Sequence, residues 1–307
     1  MVEASSKILI VGAAGFLGTA LSRRCSRMGL SVLGLDLVAP IDLDIFQDFR
    51  QTSHPENDIA ALLVDCRPCY LVNFAGNADV RRSIQHPRDD FARSADLFSA
   101  ILDLVRRYSP ETKVLLASSA AVYGQPLAQP ILETQALQPI SPYGYHKWMC
   151  ELLAREYTEI YGLKTATMRI FSAYGVGLRK QILWDLCRKC QEGGPIELSG
   201  DGTESRDFIH VEDVANAALG ILFRGEFAAT SYNVATGTET TIAALAGQLI
   251  QNFDIAVDRL SFTGVTRSDD PKNWCADVSR LKALDFAPEI ELFRGLAEYA
   301  EWFKKLH

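Results

Sequence analysis

The strongest constraint on the fold is a regular alternation of short apolar runs with helical patterns along the first half of the chain. Lys7–Val11 predicts a strand, Thr19–Met28 a helix and Ser31–Leu35 a second strand. The further segments predicted as helices or strands are Asp58–Cys66, Tyr70–Phe74, Phe91–Arg107, Lys113–Ala117, Tyr143–Tyr161 and Thr165–Phe171. Alternation of this kind builds a doubly wound parallel α/β sheet with helices on both faces.

The second half of the chain is less regular from Gly175 onward, until a helix at Val211–Phe223 and a strand at Tyr232–Ala235. We therefore expect a large sheet domain over residues 1–171, to which residues 206–235 return. Residues 172–307 are expected to form mainly a smaller, interleaved C-terminal lobe.

Composition excludes several classes of protein. The 307 residues are 48% apolar, which is enough to bury a core and excludes a disordered chain. Lys and Arg number 31 against 38 Asp and Glu, and the net charge of −7 disfavours nucleic-acid binding. We see no apolar run long enough to cross a bilayer and no secretory signal, so we expect a cytoplasmic protein without a membrane partner.

Seven cysteines include two CxxC pairs, Cys66–Cys69 and Cys187–Cys190. Together they are compatible with a zinc site, and the first pair alone with a redox pair. The surrounding apolar patterns favour free thiols in a reducing compartment. We therefore predict no metal.

A glycine-rich turn, Gly12-Ala-Ala-Gly15-Phe16-Leu17-Gly18, follows the first strand and opens the first helix. Glycines permit a tight turn and let backbone N–H groups approach a pyrophosphate at the positive end of the helix. Tight packing of helix on strand is the alternative explanation. In this strand–turn–helix context the pattern favours a dinucleotide site in a Rossmann-type domain.

Asp36 ends the second strand, eighteen residues after Gly18, and Leu37 follows it. A carboxylate there accepts hydrogen bonds from the adenosine ribose and repels a 2′-phosphate. No Arg is adjacent to bind that phosphate, so the sequence favours NAD over NADP.

Tyr143 and Lys147 are four residues apart on a predicted helix and project from one face. A phenol is a poor base at neutral pH, but a nearby ammonium group and a nicotinamide cation favour the phenolate. Ser118 and Ser119 end a strand at the edge where doubly wound sheets bind ligands. Ser119 is placed to hydrogen-bond the hydroxyl that Tyr143 deprotonates, although turn capping is an alternative for both serines.

Several motifs together resemble the extended short-chain dehydrogenase/reductases of the nucleotide-sugar epimerase/dehydratase family. They are Gly12–Gly18, Asp36, Asn73-Phe-Ala-Gly76, Ser118–Gly124, Ser141-Pro-Tyr143-Gly-Tyr-His-Lys147, Met168-Arg-Ile-Phe-Ser172-Ala-Tyr-Gly175 and Gly200–Val214, which contains Arg206. The resemblance runs through most of the chain.

The resemblance implies roles for individual residues. Ser119, Tyr143 and Lys147 would form the catalytic triad. Tyr143 and Lys147 would also contact the cofactor, as would Phe74, Ala75 and Gly76. Arg206 and Arg267 would contact the diphosphate of a nucleotide sugar, a task that suits guanidinium groups, and Ser119, Tyr143 and Ser172 would contact the sugar. A surface ion pair is the alternative role for either arginine.

The chain departs from the family at several positions. Ser172 stands where Asn is usual, His146 where Ser is more common, and a residue near Ser94 where Asn usually faces the nicotinamide. The usual Asp near the adenine is replaced around Ser53-His54. Ala120-Ala121 follows Ser119 where sugar 4,6-dehydratases carry Asp-Glu, so dehydration lacks evident proton carriers.

The leading functional prediction is an NAD-dependent nucleotide-sugar epimerase acting at C4 through a transient 4-keto intermediate. A 4-ketoreductase or dehydrogenase, with NAD or NADP, uses the same triad and is the alternative, and a non-catalytic sensor is a third. The resemblance also implies a homodimer built on Phe91–Arg107 and Tyr143–Tyr161. Interface candidates are Leu97, Ile101, Met149, Leu153 and Tyr157.

Overall fold

The structure is a computed structural model and describes residues 6–265 and 271–306. Its strands are β1 (Lys7–Val11), β2 (Ser31–Asp36), β3 (Asp48–Gln51), β4 (Tyr70–Asn73), β5 (Lys113–Ser119), β6 (Thr165–Ile170), β7 (Ser172–Tyr174), β8 (Ile196–Leu198), β9 (Ser205–His210), β10 (Thr230–Val234), β11 (Glu239–Thr241) and β12 (Leu260–Phe262). Its α-helices are α1 (Phe16–Arg27), α2 (Pro55–Cys66), α3 (Val80–Gln85), α4 (Pro87–Phe91), α5 (Leu97–Tyr108), α6 (Pro142–Tyr161), α7 (Gln181–Glu192), α8 (Val211–Arg224), α9 (Ile242–Gln251), α10 (Ser279–Lys282) and α11 (Leu292–Lys304).

Seven strands form one parallel sheet in the order β3-β2-β1-β4-β5-β6-β10. Val11 at the end of β1 aligns with Leu35 on one side and Asn73 on the other. The strand order reverses between β1 and β4, and ligands bind doubly wound sheets outside the carboxyl ends at such a point. This architecture confirms the predicted α/β Rossmann-type class.

Helices cover both faces of this sheet. The apolar side chains of α1 and α8 pack with one face, and those of α2, α5 and α6 with the other. The five inner strands β1, β2, β4, β5 and β6 are almost fully buried, as the near-continuous apolar runs of a two-sided parallel sheet require, and the edge strands β3 and β10 are partly exposed. Strand β10 pairs with β6, so the chain returns to the sheet after β9 and α8.

One long helical segment runs from α4 through a wider π turn at Ala92–Asp96 into α5. The predicted helix Phe91–Arg107 lies within it. A π turn shifts the side chains that follow it around the helix, and such turns are frequent at functional sites. Here the turn carries Ser94 towards the sheet, where it is buried.

The remaining elements build a smaller lobe beside the carboxyl ends of the large sheet. Helices α7, α9 and α11 pack around a separate apolar core, with a three-stranded sheet β11-β9-β7 and the pair β12-β8. Phe16 packs against both this core and that of the large sheet, so the start of α1 joins the two layers. In the described part of the chain, no helix is long and apolar enough to cross a membrane.

Candidate active site

The glycine-rich turn closes tightly on neighbouring backbone at the carboxyl end of β1. A Cβ atom on Gly12 would lie 2.7 Å from the Ala75 nitrogen, and one on Gly18 would lie 2.0 Å from the Gly12 carbonyl oxygen. Both positions therefore require glycine. Gly15 is the N-cap of α1, where no side chain forms a capping hydrogen bond and the first turn carries no acid. The positive end of the helix is thus left for an anion.

Phe16 and Leu17 open α1, and their half-buried side chains pack against the core of the large sheet. This packing fixes the start of α1, and the backbone N–H groups of its first residues remain beside the glycine-rich turn. Any contact that these two residues make with a phosphate is therefore expected from the backbone.

Asp36 faces the glycine-rich turn from the end of β2. Its Oδ2 accepts a hydrogen bond of 2.9 Å from Ala14 N, and its Oδ1 accepts one of 2.7 Å from Leu37 N. The carboxylate is thereby fixed beside the turn with further lone pairs available. Leu37 is 55% exposed and brings no positive charge. On the neighbouring strand, Arg50 is 3.5 Å from both Asp48 and Asp58.

The segment that follows β4 forms the opposite wall of this cradle. Phe74 N donates to Val11 O at 2.8 Å and Ala75 N to the Asn73 side chain at 3.1 Å, which fixes the backbone against the glycine-rich turn. Gly76 has φ +127°, and a Cβ there would lie 3.3 Å from Ser94 Oγ and 3.7 Å from Lys147 Nζ.

Ser94 reaches this wall from the π turn, and its buried hydroxyl has no hydrogen-bond partner among the described residues. A buried hydroxyl without a partner is costly, so a ligand amide or carbonyl beside Gly76 would find a donor and acceptor there. The resemblance in sequence led us to expect a replacement near Ser94 for the Asn that usually faces the nicotinamide, and in the structure Ser94 lies on this wall.

Two serines end β5, and the structure separates their roles. Ser118 is buried, and its hydroxyl donates to Glu151 Oε1 at 2.6 Å. Ser119 is half-buried at the strand end, where its Oγ accepts from Ala121 N at 3.2 Å and caps a short 3₁₀ turn. That contact leaves the Ser119 O–H proton available to a ligand, so capping and substrate contact are compatible.

Tyr143 and Lys147 lie on the first turns of α6 and are both buried. Ser141 caps the helix by accepting from Gly144 N at 3.2 Å, and Tyr143 N donates to Ser83 Oγ at 3.1 Å. Lys147 Nζ donates to Ala117 O at 2.9 Å and lies 5.9 Å from the centroid of the Tyr143 ring.

Gly144 explains why this helix approaches the serine strand so closely. A Cβ atom there would lie 2.6 Å from Ala121 O, on the turn that Ser119 caps. A larger residue would push α6 away from that turn. The structure thus brings the start of α6, the end of β5 and Gly76 to one edge of the sheet.

A buried ion pair beneath these residues was missed from the sequence. Arg169, on β6, donates to Glu151 on α6 at distances of 2.7–3.2 Å, and also to the Tyr123 hydroxyl at 2.9 Å. Burial opposes the charge on Arg169, but Glu151 and Tyr123 outweigh it and raise the pKa of the guanidinium. Burial raises the pKa of Tyr123 to about 12. A charged residue inside the buried strand Thr165–Ile170 was the available sequence signal.

His146, between Tyr143 and Lys147 in the sequence, faces α4 instead. Its Nδ1 lies 2.5 Å from Oδ2 of Asp90, which is wholly buried, and its ring packs edge-on against Phe91. The departure from the usual Ser thus ties α6 to the helical segment that carries Ser94.

The residues predicted to contact substrate lie at the junction with the smaller lobe. Arg206, on β9, is 9% exposed and donates to the Ser205 carbonyl oxygen at 2.7 Å, with its guanidinium carbon 5.4 Å from the Trp274 ring centroid. It is therefore not the surface residue of the alternative interpretation. Ser172 begins β7 and is half-buried. Arg267 lies outside the described residues.

The second CxxC pair lies away from this edge. Cys187 and Cys190 are buried on α7 within the core of the smaller lobe, and burial raises their pKa values to about 12 and 11. All seven cysteines are free thiols. Within residues 6–265 and 271–306, no group of three or more His, Cys, Asp or Glu side chains is arranged to hold a metal ion.

The fold and this edge define a Rossmann-type protein with a Ser–Tyr–Lys arrangement beside a dinucleotide cradle. The sequence model of the NAD dependent epimerase/dehydratase family matches residues 8–235. The chain belongs to this family, and the predicted resemblance is confirmed.

Individual relatives are similar over almost the whole chain. UDP-glucose 4-epimerase of Mycolicibacterium smegmatis is 26% identical over 318 residues, which cover 97% of this chain and 98% of that one. UDP-glucuronate 4-epimerase 2 of Arabidopsis thaliana is 25% identical and covers 96% of this chain, with 75% of its own length matched. The structure of UDP-N-acetylglucosamine 4-epimerase from Methanobrevibacter ruminantium has a TM-score of 0.87 at 24% identity and covers 99% of both chains, which shows the same fold.

Proposed function

We propose that this chain is an NAD-dependent nucleotide-sugar epimerase that inverts C4 of a UDP-linked sugar through a transient 4-keto intermediate. The observation that carries the proposal is the buried Lys147 ammonium group, held against Ala117 O and beside Gly76, with Tyr143 one turn earlier on the same helix. Mere binding of a dinucleotide does not require this pair, which argues against a sensor. The substrate class is proposed from the similar proteins, which are UDP-sugar 4-epimerases.

The cradle fits NAD. The N–H groups of the Gly12–Gly18 turn, together with the uncapped start of α1, would hold the pyrophosphate. Asp36 would accept from the adenosine ribose hydroxyls and would repel the 2′-phosphate of NADP. The Phe74–Gly76 wall and Ser94 would hold the nicotinamide end, and Lys147 its ribose.

The triad moves the proton. Tyr143 takes the proton of the sugar C4 hydroxyl and later returns one to the 4-keto oxygen, while Ser119 hydrogen-bonds the same oxygen. Lys147 stabilises the phenolate by its charge. Bound NAD supplies reversible transfer of the C4 hydrogen. The 4-keto sugar then rotates in the site, and the same residues act while the hydrogen returns to its opposite face.

The smaller lobe is proposed to hold the nucleotide sugar. Arg206 suits the diphosphate because a guanidinium group forms paired hydrogen bonds with phosphate oxygens, and Arg267 is proposed for the same role. Ser172 is proposed to contact the sugar. In this division, residues 1–171 with the returning α8 and β10 bind the cofactor. Residues 172–307 otherwise mainly bind substrate, including β9, which carries Arg206 and pairs within the three-stranded sheet rather than with the large one, where 206–235 was expected to return.

A ketoreductase or dehydrogenase is the second candidate because it uses the same proton-transfer residues. Dehydration is disfavoured, since Ala120 and Ala121 stand in the 3₁₀ turn after Ser119 and carry no acid or base. The proposed enzyme is cytoplasmic, which the free thiols support. It is also proposed not to bind nucleic acid, in keeping with its negative charge.

Assembly as a homodimer is part of the proposal. A groove between the Phe91–Tyr108 segment and α6 is lined by Phe91, Ala95, Asp96, Ser99, Met149, Leu152, Leu153 and Glu156. Phe91, Met149 and Leu152 are 37–47% exposed there. Of the interface candidates, Ile101 is fully buried in the core of its own chain, and Leu97, Leu153 and Tyr157 pack partly against that core. Met149 is therefore the strongest of the predicted candidates, and Leu152, which was not among them, joins it because it is exposed in the groove.

The test uses the purified protein without added cofactor. Denaturation and extraction should release NAD(H), because an epimerase retains its cofactor between turnovers. Incubation with UDP-glucose, UDP-glucuronate or UDP-N-acetylglucosamine should then give the C4 epimer, detected by proton NMR. Turnover that consumes stoichiometric added NAD(P)(H) would favour the reductase or dehydrogenase instead. Absence of NAD(H) binding and of turnover with every sugar would contradict the proposal.

A further inference from the structure

The segment between β7 and α7, residues 175–180, is anchored in the smaller lobe by Leu178, which is buried in its core, while Gly177 and Lys180 reach the edge where the cofactor cradle lies. It turns sharply, because Gly175 and Gly177 have φ values of +142° and +100°. Gln181, which follows the segment and begins α7, is not glycine, yet it has φ +66°. Backbone strain of this kind persists only where the surrounding contacts fix it, and it concentrates at functional segments.

This segment contacts both walls of the cradle. A Cβ atom on Gly177 would lie 3.7 Å from the Phe16 ring, at the start of the helix that follows the glycine-rich turn. Lys180 Nζ donates a hydrogen bond of 2.9 Å to Ala78 O on the opposite wall. Ala78 belongs to the loop 75–79, which begins against Gly12 and contains Gly76.

The hydrogen bond from Lys180 to Ala78 involves a charged donor near the carboxylate of Asp79. Lys180 is half-buried, and burial lowers the pKa of its ammonium group while the charge of Asp79 opposes the change. Asp79 caps α3 by accepting from Arg82 N at 3.0 Å, which fixes the end of the same loop. A charged donor on a carbonyl oxygen forms a stronger hydrogen bond than a neutral donor does.

We infer that Lys180 is a positioning residue that holds the loop 75–79 closed over the bound dinucleotide and thereby retards its release. The inference rests on the proposed function, because NAD in the cradle belongs to that proposal.

The test compares the wild type with Lys180→Met, Lys180→Arg and a matched control, Lys189→Met. Lys189 also donates to a carbonyl oxygen, that of Glu197 at 2.6 Å, but both residues lie in the smaller lobe. Each protein is loaded with NADH, and its release into excess NAD is followed by fluorescence. Lys180→Met should release NADH about three- to tenfold faster, the effect of one lost hydrogen bond. Lys180→Arg and Lys189→Met should resemble the wild type.

A purely structural role for Lys180 would lower the melting temperature without changing the release rate. Equal release rates for the wild type and Lys180→Met would therefore overturn the inference while leaving the proposed function intact. A wild type that binds no NADH would overturn the proposed function itself.

Discussion

The ammonium nitrogen of Lys147 donates a hydrogen bond of 2.9 Å to the carbonyl oxygen of Ala117, the residue two positions before Ser119 on β5. The contact joins the helix that carries the phenol to the strand that carries the hydroxyl. Because Lys147 is buried, its charge is held near the Tyr143 ring and does not move freely in solvent. The site is therefore organised around a fixed cation before any ligand binds.

Replacing Tyr143 by Phe removes the proton carrier and keeps the ring. We expect turnover to fall at least about 100-fold, the effect typical of a general acid–base group, with NAD binding retained. The matched control is Tyr161→Phe at the far end of α6, where the side chain is 49% exposed. Epimerase assays on both variants test the assignment, and near-normal turnover by Tyr143→Phe would contradict it.

Asp36 is expected to select NAD over NADP. Asp36→Ala removes a carboxylate that the Ala14 and Leu37 N–H groups fix beside the glycine-rich turn. Loss of charge-assisted hydrogen bonds to the ribose should weaken NAD binding about tenfold or more, while the loss of repulsion should improve NADP binding. Titration of both cofactors against wild type and variant measures the change. Tighter binding of NADP than of NAD by the wild type would refute the role.

The sequence predicted the large sheet well because its signals are local. Apolar runs marked β1, β2, β4, β5, β6 and β10, and the glycine pattern marked the turn, since each depends on neighbouring residues alone. Strand β3, Asp48-Phe-Arg-Gln51, was missed because its side chains are only partly buried at the edge of the sheet. The short strands β7, β8, β11 and β12 have three residues each, too few to show a period.

The contacts around the candidate site were less predictable, because they join residues that are distant in the sequence. Nothing near Glu151 indicates that Arg169 and Ser118 meet it below the site. The pairing of His146 with Asp90 likewise depends on how α4 packs against α6. Spacing placed Tyr143 and Lys147 on one helix face, but only the tertiary structure brings Ala117 to Lys147.

Removing the carboxylate of the buried Glu151–Arg169 ion pair is expected to destabilise the fold strongly. Glu151→Gln leaves a buried guanidinium without its carboxylate, which should lower the free energy of unfolding by about 3–5 kcal/mol. Both side chains are less than 10% exposed. The matched control is Glu298→Gln, whose partner Arg294 lies 3.0 Å away on the surface of α11, and its cost should be below about 1 kcal/mol. Urea unfolding measures both, and equal losses would contradict the buried role.

His210 is expected to contribute to acid sensitivity. Burial lowers the pKa of His210 below its ordinary 6.5, with Glu298 opposing the shift and Arg294 adding to it. The unfolded chain therefore binds a proton at His210 more readily than the folded chain does. Stability from this group should be fully present above pH 6.5 and should be lost as the pH falls below that value.

The variant His210→Asn isolates this effect, because an amide oxygen can replace Nδ1 as the acceptor of Glu212 N without titrating. Urea unfolding compares the two proteins at several pH values from about 7.5 downward, a series that spans the ordinary pKa of histidine. The wild type should lose more stability than the variant on acidification. Parallel pH profiles would show that His210 does not contribute.

The last prediction concerns the groove between the Phe91–Tyr108 segment and α6. Leu152 is 47% exposed there, and in a two-fold interface the same leucine appears twice. Leu152→Glu would bury two carboxylates per dimer without partners, so the variant should sediment as a monomer near 33.9 kDa at micromolar concentration, with the wild type sedimenting as a dimer. Phe293→Glu on α11 is the control, since Phe293 is 66% exposed away from the groove and its replacement should leave the dimer intact. A monomeric wild type would exclude the dimer, and a dimer that tolerates both Leu152→Glu and Met149→Glu would place the interface on another surface.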